Sequence, residues 1–417
     1  MSAQAASVGT GAGGRLTISA RQLAGAAIGL DALAFWIALP PVHARTFLWP
    51  IVFGAAGIAV GGAASARGAR RAGWSAIALG IVAVMLGYLA TRSGVGHLQD
   101  VFTWSTLIAS ALVFTTPLTY AAIGGLISER SGVVNIGLEG MMLMGCFFGI
   151  YGADKTSSWA LGVLIGMLSG GLLALVYAFF AIHLRADQIV GGTAVNFLAL
   201  GITGYFFVDL YQGQNVPAGV PRIPPVNLSF LRHLPPHFGW FDLGRFLDAS
   251  IGSLNLMIWL AFAVVVLTYL VLWHTPLGLR HRACGEHPRA ADTVGINVYA
   301  YRYRAVVTSG LLAAAGGAYL AVGFVGTFNE NMTAGRGFIA LAAMIFGNWR
   351  PFGAMRAAFL FGLSTAIAFR MQTYSDSLPG IDVLIQTLPY VLTLIAIAGV
   401  IGRSRMPAAD GRPYRKQ

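Results

Sequence analysis

Apolar runs of roughly twenty residues recur along this chain, at 22–39, 47–66, 73–91, 104–127, 133–152, 158–183, 188–211, 251–273, 304–326, 353–372 and 384–402. At about 1.5 Å per residue, a helix of that length matches a hydrocarbon core about 30 Å thick. A twelfth run, 334–348, is shorter and interrupted by glycine. It reads as a broken or re-entrant helix, which a membrane tolerates only where protein buries the exposed backbone. The pattern therefore predicts an all-α, polytopic transmembrane bundle with about 10–12 membrane segments, some of them broken. Barrel strands would show alternating polarity over about ten residues, and no such stretch occurs.

Composition agrees. Hydrophobic residues make up 56% of the 417, charged residues 10%, and mean hydropathy is +0.70, whereas soluble domains carry about 25% charged residues. The net charge of +12 raises the question of a nucleic-acid partner, but its distribution answers it. With twelve crossings, nineteen of the Lys and Arg residues fall on the side of the termini and eight on the other. The positive-inside rule then places both termini in the cytoplasm and leaves no nucleic-acid binding to explain. Residues 1–21 are rich in Gly, Ala and Ser and read as a disordered cytoplasmic segment. The first apolar run reads as a retained helix rather than a cleaved signal. Cys146 and Cys284 have neither CxxC spacing nor a His partner, so no metal site or disulfide is expected. Met141, Met142 and Met144 read as core filling.

Polar groups inside apolar runs are the candidate chemistry. Asn135 and Glu139 are four apart, hence neighbours if one helix carries both; Gly132, Gly137 and Gly140 around them permit close packing or a break. Thr193 and Asn196 form a second patch, and FNENMTAGRGF, with Asn329, Glu330, Arg336 and Phe338, a third. Each has two readings: a path for a polar solute, or helix capping and interhelical hydrogen bonding. Glu330 and Arg336 also suit a loop ion pair. Glu129 and Arg130 are adjacent and do not face each other on a helix, so each is expected to pair elsewhere, with the loop at 274–303 a candidate. Asp31 is assigned to helix packing. No His/Asp/Glu or Ser/His cluster recurs within the apolar runs, which disfavours a membrane-embedded enzyme. Two loops are long: 212–250, rich in Pro and aromatics, and 274–303, basic, where Pro288 and Gly295 bracket a short helix.

Three motifs carry a family resemblance. RACGEHPRAADTVGIN (282–297) resembles the coupling loop of bacterial ABC importer permeases of the branched-chain amino acid, ribose and nucleoside group. GGLISERSGVVNIGLEGMMLMG (124–145) and GRGFIALAAMIFGNWRPFGA (335–354) resemble the nucleoside or simple-sugar permeases. The resemblance covers a permease core at 104–402, with external loop 212–250 and cytoplasmic coupling loop 274–303. It leaves the helices of 22–103 outside and 403–417 as a basic cytoplasmic tail.

The resemblance implies a multi-pass subunit of the bacterial cytoplasmic (inner) membrane that moves nucleosides or related small sugars inward. Its expected partners are the lipid bilayer, a cytoplasmic ABC ATPase, a second and different permease chain, and an extracytoplasmic substrate-binding protein. No GxxxxGK[ST] motif occurs in the chain, so ATP is expected to be used by the partner subunit, and this chain to bind no cofactor or metal. Asn135, Glu139, Thr193, Asn196, Asn329, Glu330 and Phe338 become the expected substrate pathway. Gly285, Glu286, Pro288, Ala290, Ala291, Gly295 and Asn297 become the expected ATPase-coupling set. The alternative is an ion-coupled secondary transporter, for which Asp31 and Glu139 supply the acids.

Overall fold

The computed structural model describes residues 19–38, 48–92, 104–214, 219–233, 237–238, 241–372 and 405–416. The last apolar run, 384–402, and residues 1–18 of the disordered start expected over 1–21 lie outside them, while Ala20 and Arg21 of that stretch are helical. Among the described residues, seven helices are long and apolar enough to cross a membrane. The exception to the all-α expectation is a two-residue ladder, His237–Phe238 with Phe241–Asp242, inside the long loop.

The described residues fall into two compact units, one within residues 19–92 and one within residues 104–416. The first contains α1 (Ala20–Ala38), α2 (Leu48–Ala66) and α3 (Arg70–Arg92), packed pairwise on one another. Asp31 is buried inside it, with neither carboxylate oxygen bonded to a described residue. A Cβ at Gly57 or Gly80 would run into that carboxylate. Glycine at those two positions is what makes room for the acid.

The second unit begins with α4 (Trp104–Arg130), followed by α5 (Leu138–Thr156), α6 (Trp159–Ala178) and α7 (Gln188–Tyr211). A short α8 (Leu243–Ile251) precedes α9 (Leu256–His274). Next come α10 (Pro276–Glu286) and α11 (Pro288–Thr293) within the basic loop. Last are α12 (Val298–Ala318), continued by a π-helical stretch to Val325, α13 (Arg336–Phe346) and α14 (Pro351–Gln372). Helices α4, α5, α6 and α12 form the centre, with α14 against α4 and α7 against α5. Small residues bring the backbones together: a Cβ at Gly317 of α12 would overlap the Met142 carbonyl of α5. Such close approach is how helices associate where lipid offers no hydrophobic drive.

Pro117 lies inside α4, so its missing N–H leaves the Val113 carbonyl without the usual helical donor. The Tyr319 hydroxyl donates to that carbonyl at 3.4 Å. Eleven residues make α13 about 16 Å long, too short to cross the bilayer. The short run at 334–348 is thus a half-helix, as its interruption suggested.

Candidate functional site

The expected shared helical face of Asn135 and Glu139 does not form, because helix α5 starts only at Leu138. Between Arg130 and Leu138 the backbone is non-helical, beginning with Gly132 at φ +91°. Backbone groups freed inside a membrane need other partners, and side chains supply them. Gln188 Oε1 accepts from Val134 N at 2.8 Å, and the Tyr177 hydroxyl donates to the Val134 carbonyl. Ser128 Oγ donates to the Val133 carbonyl at 2.7 Å. Asn196 Nδ2 donates to the Ile136 carbonyl at 3.0 Å, while its Oδ1 accepts from Gly140 N at 2.8 Å.

Asn135 is fully buried. Its Oδ1 accepts from Gly137 N at 3.1 Å and its Nδ2 donates to Ser309 Oγ of α12 at 3.0 Å. Glu139, in the first turn of α5, accepts from Gly335 N at 2.8 Å and Gly337 N at 2.5 Å. The start of half-helix α13 is therefore held by one carboxylate on the start of α5. A Cβ at Gly337 would lie 2.5 Å from the Glu139 backbone, so glycine is needed for the two starts to meet.

The seven expected pathway residues divide. Asn135, Glu139 and Asn196 are committed to the junction. Thr193 is exposed and bonds only its own helix, at the Ile189 carbonyl, 2.9 Å. Asn329, Glu330 and Phe338 are exposed on the approach to and first turn of α13. The Glu330–Arg336 pair does not form: Arg336 donates to the Met332 and Thr333 carbonyls at 3.0 and 3.1 Å. Glu330 instead lies toward Gly204 of α7.

A second cluster lies where α4 ends. Arg130 donates to the Trp349 carbonyl from Nε (3.0 Å) and Nη2 (2.9 Å), and its Nη1 lies 3.7 Å from Glu286. Trp349 Nε1 donates to Glu129 at 2.6 Å. The adjacent acid and base thus pair elsewhere, Arg130 with the basic loop and both with the residue beyond α13. Asn348 and Trp349 adopt φ +54° and +50°, a left-handed conformation uncommon for such residues.

Each turn of the basic loop is capped or closed by a local contact. Thr275 caps α10 through Gly278 N at 3.1 Å, Pro288 occupies the first turn of α11, Gly295 ends it at φ +84°, and Asn297 caps α12 through Ala300 N at 3.0 Å. His281 is buried with Nε2 at 2.8 Å from the Ile127 carbonyl, and burial holds its pKa below the usual histidine value. The coupling set also divides. Gly285 faces inward, where a Cβ would overlap the Arg130 carbonyl, and Ala291 is buried with Cys284 and Val298. Glu286 is tied to Arg130. Ala290, Gly295 and Asn297 face outward with Arg289 and Thr293, and Pro288 lies between. Val294, 74% exposed, belongs to this outward edge and was not anticipated, although it stands inside the quoted motif. Cys284 and Cys146 are both free and buried, and burial pushes the Cys284 thiol up to about 11.

The tail at 405–416 folds back on this cluster. Ala409 N donates to the Gly285 carbonyl at 2.9 Å, Ala408 N to Glu286 Oε2 at 3.2 Å, and Arg405 N to Asn348 Oδ1 at 2.8 Å. The buried Arg302 donates to the Arg412 carbonyl at 3.0 Å. The Asp410 carboxyl meets Glu129, and burial pushes its pKa up to about 7. Tyr414 packs among Cys284, Ala291 and Val298.

Residues 107–398 match the family of the branched-chain amino acid transport system permease component. The guanosine ABC transporter permease protein NupQ of Bacillus subtilis is 40% identical over 322 residues, 75% of this chain and 97% of the relative. The nucleoside ABC transporter permease protein NupC of Lactococcus lactis subsp. cremoris is 39% identical over 326 residues, 75% and 98%. A second nucleoside permease of that Lactococcus strain, NupB, is 23% identical over 267 residues, 61% and 70%. No solved structure matches.

Proposed function

Because this chain belongs to the family of branched-chain amino acid transport system permease components, and is the permease subunit of an ABC importer, we propose that its cargo is nucleosides. The observation that carries the substrate class is the 39–40% identity, over three-quarters of the chain, to permeases for guanosine and for nucleosides. The exposed polar and aromatic groups Thr193 on α7 and Asn329, Glu330 and Phe338 at the start of α13 suit a neutral solute that carries hydroxyls and a flat base. They border the path, while Asn135, Glu139 and Asn196 shape it.

The basic end, with Arg280, Arg289, Arg350 and Lys416, faces the cytoplasm by the positive-inside rule, in the bacterial inner membrane. There the outward edge Ala290–Asn297 receives an ATPase carried on another chain. The second permease is a different chain: one Lactococcus strain has both a 39% and a 23% relative of this one. An extracytoplasmic binding protein delivers the solute. An ion-coupled carrier is less favoured, since Glu139 already accepts two backbone N–H groups.

The test is reconstitution in proteoliposomes with the co-encoded ATPase, second permease and binding protein. Uptake of labelled guanosine requires ATP and is suppressed by excess adenosine, but not by excess ribose or glucose. Uptake that runs on an ion gradient without ATP refutes the importer, and suppression by sugars alone refutes the substrate.

A further inference from the structure

The tail 405–416 reads by composition as a solvated basic end, yet its inward positions are the buried ones. Pro407, Ala409, Asp410 and Tyr414 are buried, while Arg405, Met406, Arg412 and Arg415 are exposed. Its contacts reach α4, α10, α11, α12 and the segment after α13. Ala409 and Ala408 hold the end of α10 at Gly285 and Glu286. Arg405 holds the turn after α13 at Asn348. Asp410 meets the end of α4 at Glu129, and Arg412 the start of α12 at Arg302. Tyr414 fills the space beneath α11, between Cys284, Ala291 and Val298, with Asp292 near its hydroxyl.

The arrangement needs particular residues opposite it. At Gly132 a side chain would lie 2.7 Å from the Arg302 guanidinium and 3.2 Å from the Ala409 carbonyl. Buried polar groups are expensive unless paired, and the fully buried Arg302 has the tail carbonyl of Arg412 as acceptor for Nη1, while its Nε and Nη2 find no partner among the described residues. A segment that accepts a buried arginine and buries a tyrosine is built in, rather than trailing.

We propose that residues 405–416 are a positioning strap: they clamp the coupling helices α10 and α11 to α4 and half-helix α13, so that motion imposed on α11 reaches the membrane junction at Glu139. The proposal rests on the importer reading. Coupling between two sites needs a connected, two-position element that both sites bias. The strap joins the loop to α13 at Asn348, beside the left-handed pair Asn348–Trp349, where a half-helix can pivot. Without the strap, α11 still presents Ala290, Val294 and Gly295 to the motor, but its movement is no longer passed on.

The experiment uses the full reconstituted complex, with Tyr414→Ala, Tyr414→Phe and a stop after Ser404. Three quantities are read: ATPase subunit retained on purification, ATP hydrolysed, and guanosine taken up per ATP. The first two stay near wild type in Tyr414→Ala and the truncation. Guanosine per ATP falls by at least about fivefold, the lower end of usual coupling strengths. Tyr414→Phe, which keeps the ring in its pocket, restores most of it. A wild-type complex without ATP-dependent uptake overturns the importer reading and the strap with it. Unchanged uptake per ATP in the truncation overturns the strap alone. Loss of the ATPase subunit on truncation also overturns it, because the tail would then be part of the docking surface. If the truncation fails to accumulate, the Ala and Phe pair decides: equal ratios refute the strap.

Discussion

Replacing Glu139 by Gln changes one oxygen to an amide NH2 and almost nothing in shape, so it isolates what the carboxylate does. Both its oxygens accept a backbone N–H, from Gly335 at 2.8 Å and Gly337 at 2.5 Å. Hydrogen bonds to a charged acceptor contribute about 1.5–3 kcal/mol, and neutral ones about 0.5–1.5. In Glu139→Gln one N–H faces a donor and loses its bond, and the other bond becomes neutral. The start of α13 then loses about 2–4 kcal/mol of local stability. At about 1.4 kcal/mol per factor of ten, local opening becomes roughly 30- to 700-fold more frequent. The assay is hydrogen exchange of the peptide containing Gly335 and Gly337 in purified protein, with uptake measured alongside. Exchange within about threefold of wild type, together with lost uptake, would refute the packing argument and assign the carboxylate to the solute.

Asn196→Ala removes the bonds from α7 to the Ile136 carbonyl of the non-helical segment and to Gly140 N in the first turn of α5, leaving both groups unpaired. At about 1–3 kcal/mol per buried unsatisfied group, the thermal unfolding midpoint of the purified complex falls; an unchanged midpoint with altered nucleoside preference would instead make Asn196 a solute contact. Asp410 titrates near 3.8 when the tail is free and about 7 when docked. An acid whose value rises on docking favours docking while protonated, so docking is strongest below about pH 4 and weakens as pH rises through about 7. A spin label at Lys416→Cys therefore moves less at about pH 5 than at about pH 8. In Asp410→Asn the difference shrinks, and a pH response that persists undiminished there counts against Asp410 as its source.

Much of this was legible in the chain. The apolar run 188–211 is α7 to the residue, and the interrupted run at 334–348 is a half-helix because eleven residues cannot span. The run 133–152 was misread by five residues. Hydropathy registers that Val133, Val134 and Ile136 are apolar, but not that their backbone is satisfied by Tyr177, Gln188 and Asn196 from later helices. Helix α10 escaped because its charged sequence shows no apolar stripe, although Thr275-Pro276 is a start signal. At Gly285 the sequence leaves the packing side open for a related reason: a glycine in a motif says that something comes close, not from which side. Here it is Arg130 from within. The tail's role was invisible because Arg302, Glu129 and Tyr414 are far apart in sequence.

The unwound stretch from Ser131 to Gly137 also constrains how the protein is made. Its partners Tyr177, Gln188 and Asn196 lie 43, 54 and 60 positions downstream of the groups they satisfy. When α4 and α5 leave the ribosome and enter the bilayer, those side chains have not yet been synthesised. The pair therefore cannot settle as a finished hairpin. It must wait, with this segment helical or held in a protein-lined or aqueous setting, until α6 and α7 arrive. A chain cut off before Gln188 is therefore expected to be a substrate for membrane quality control rather than a stable fragment.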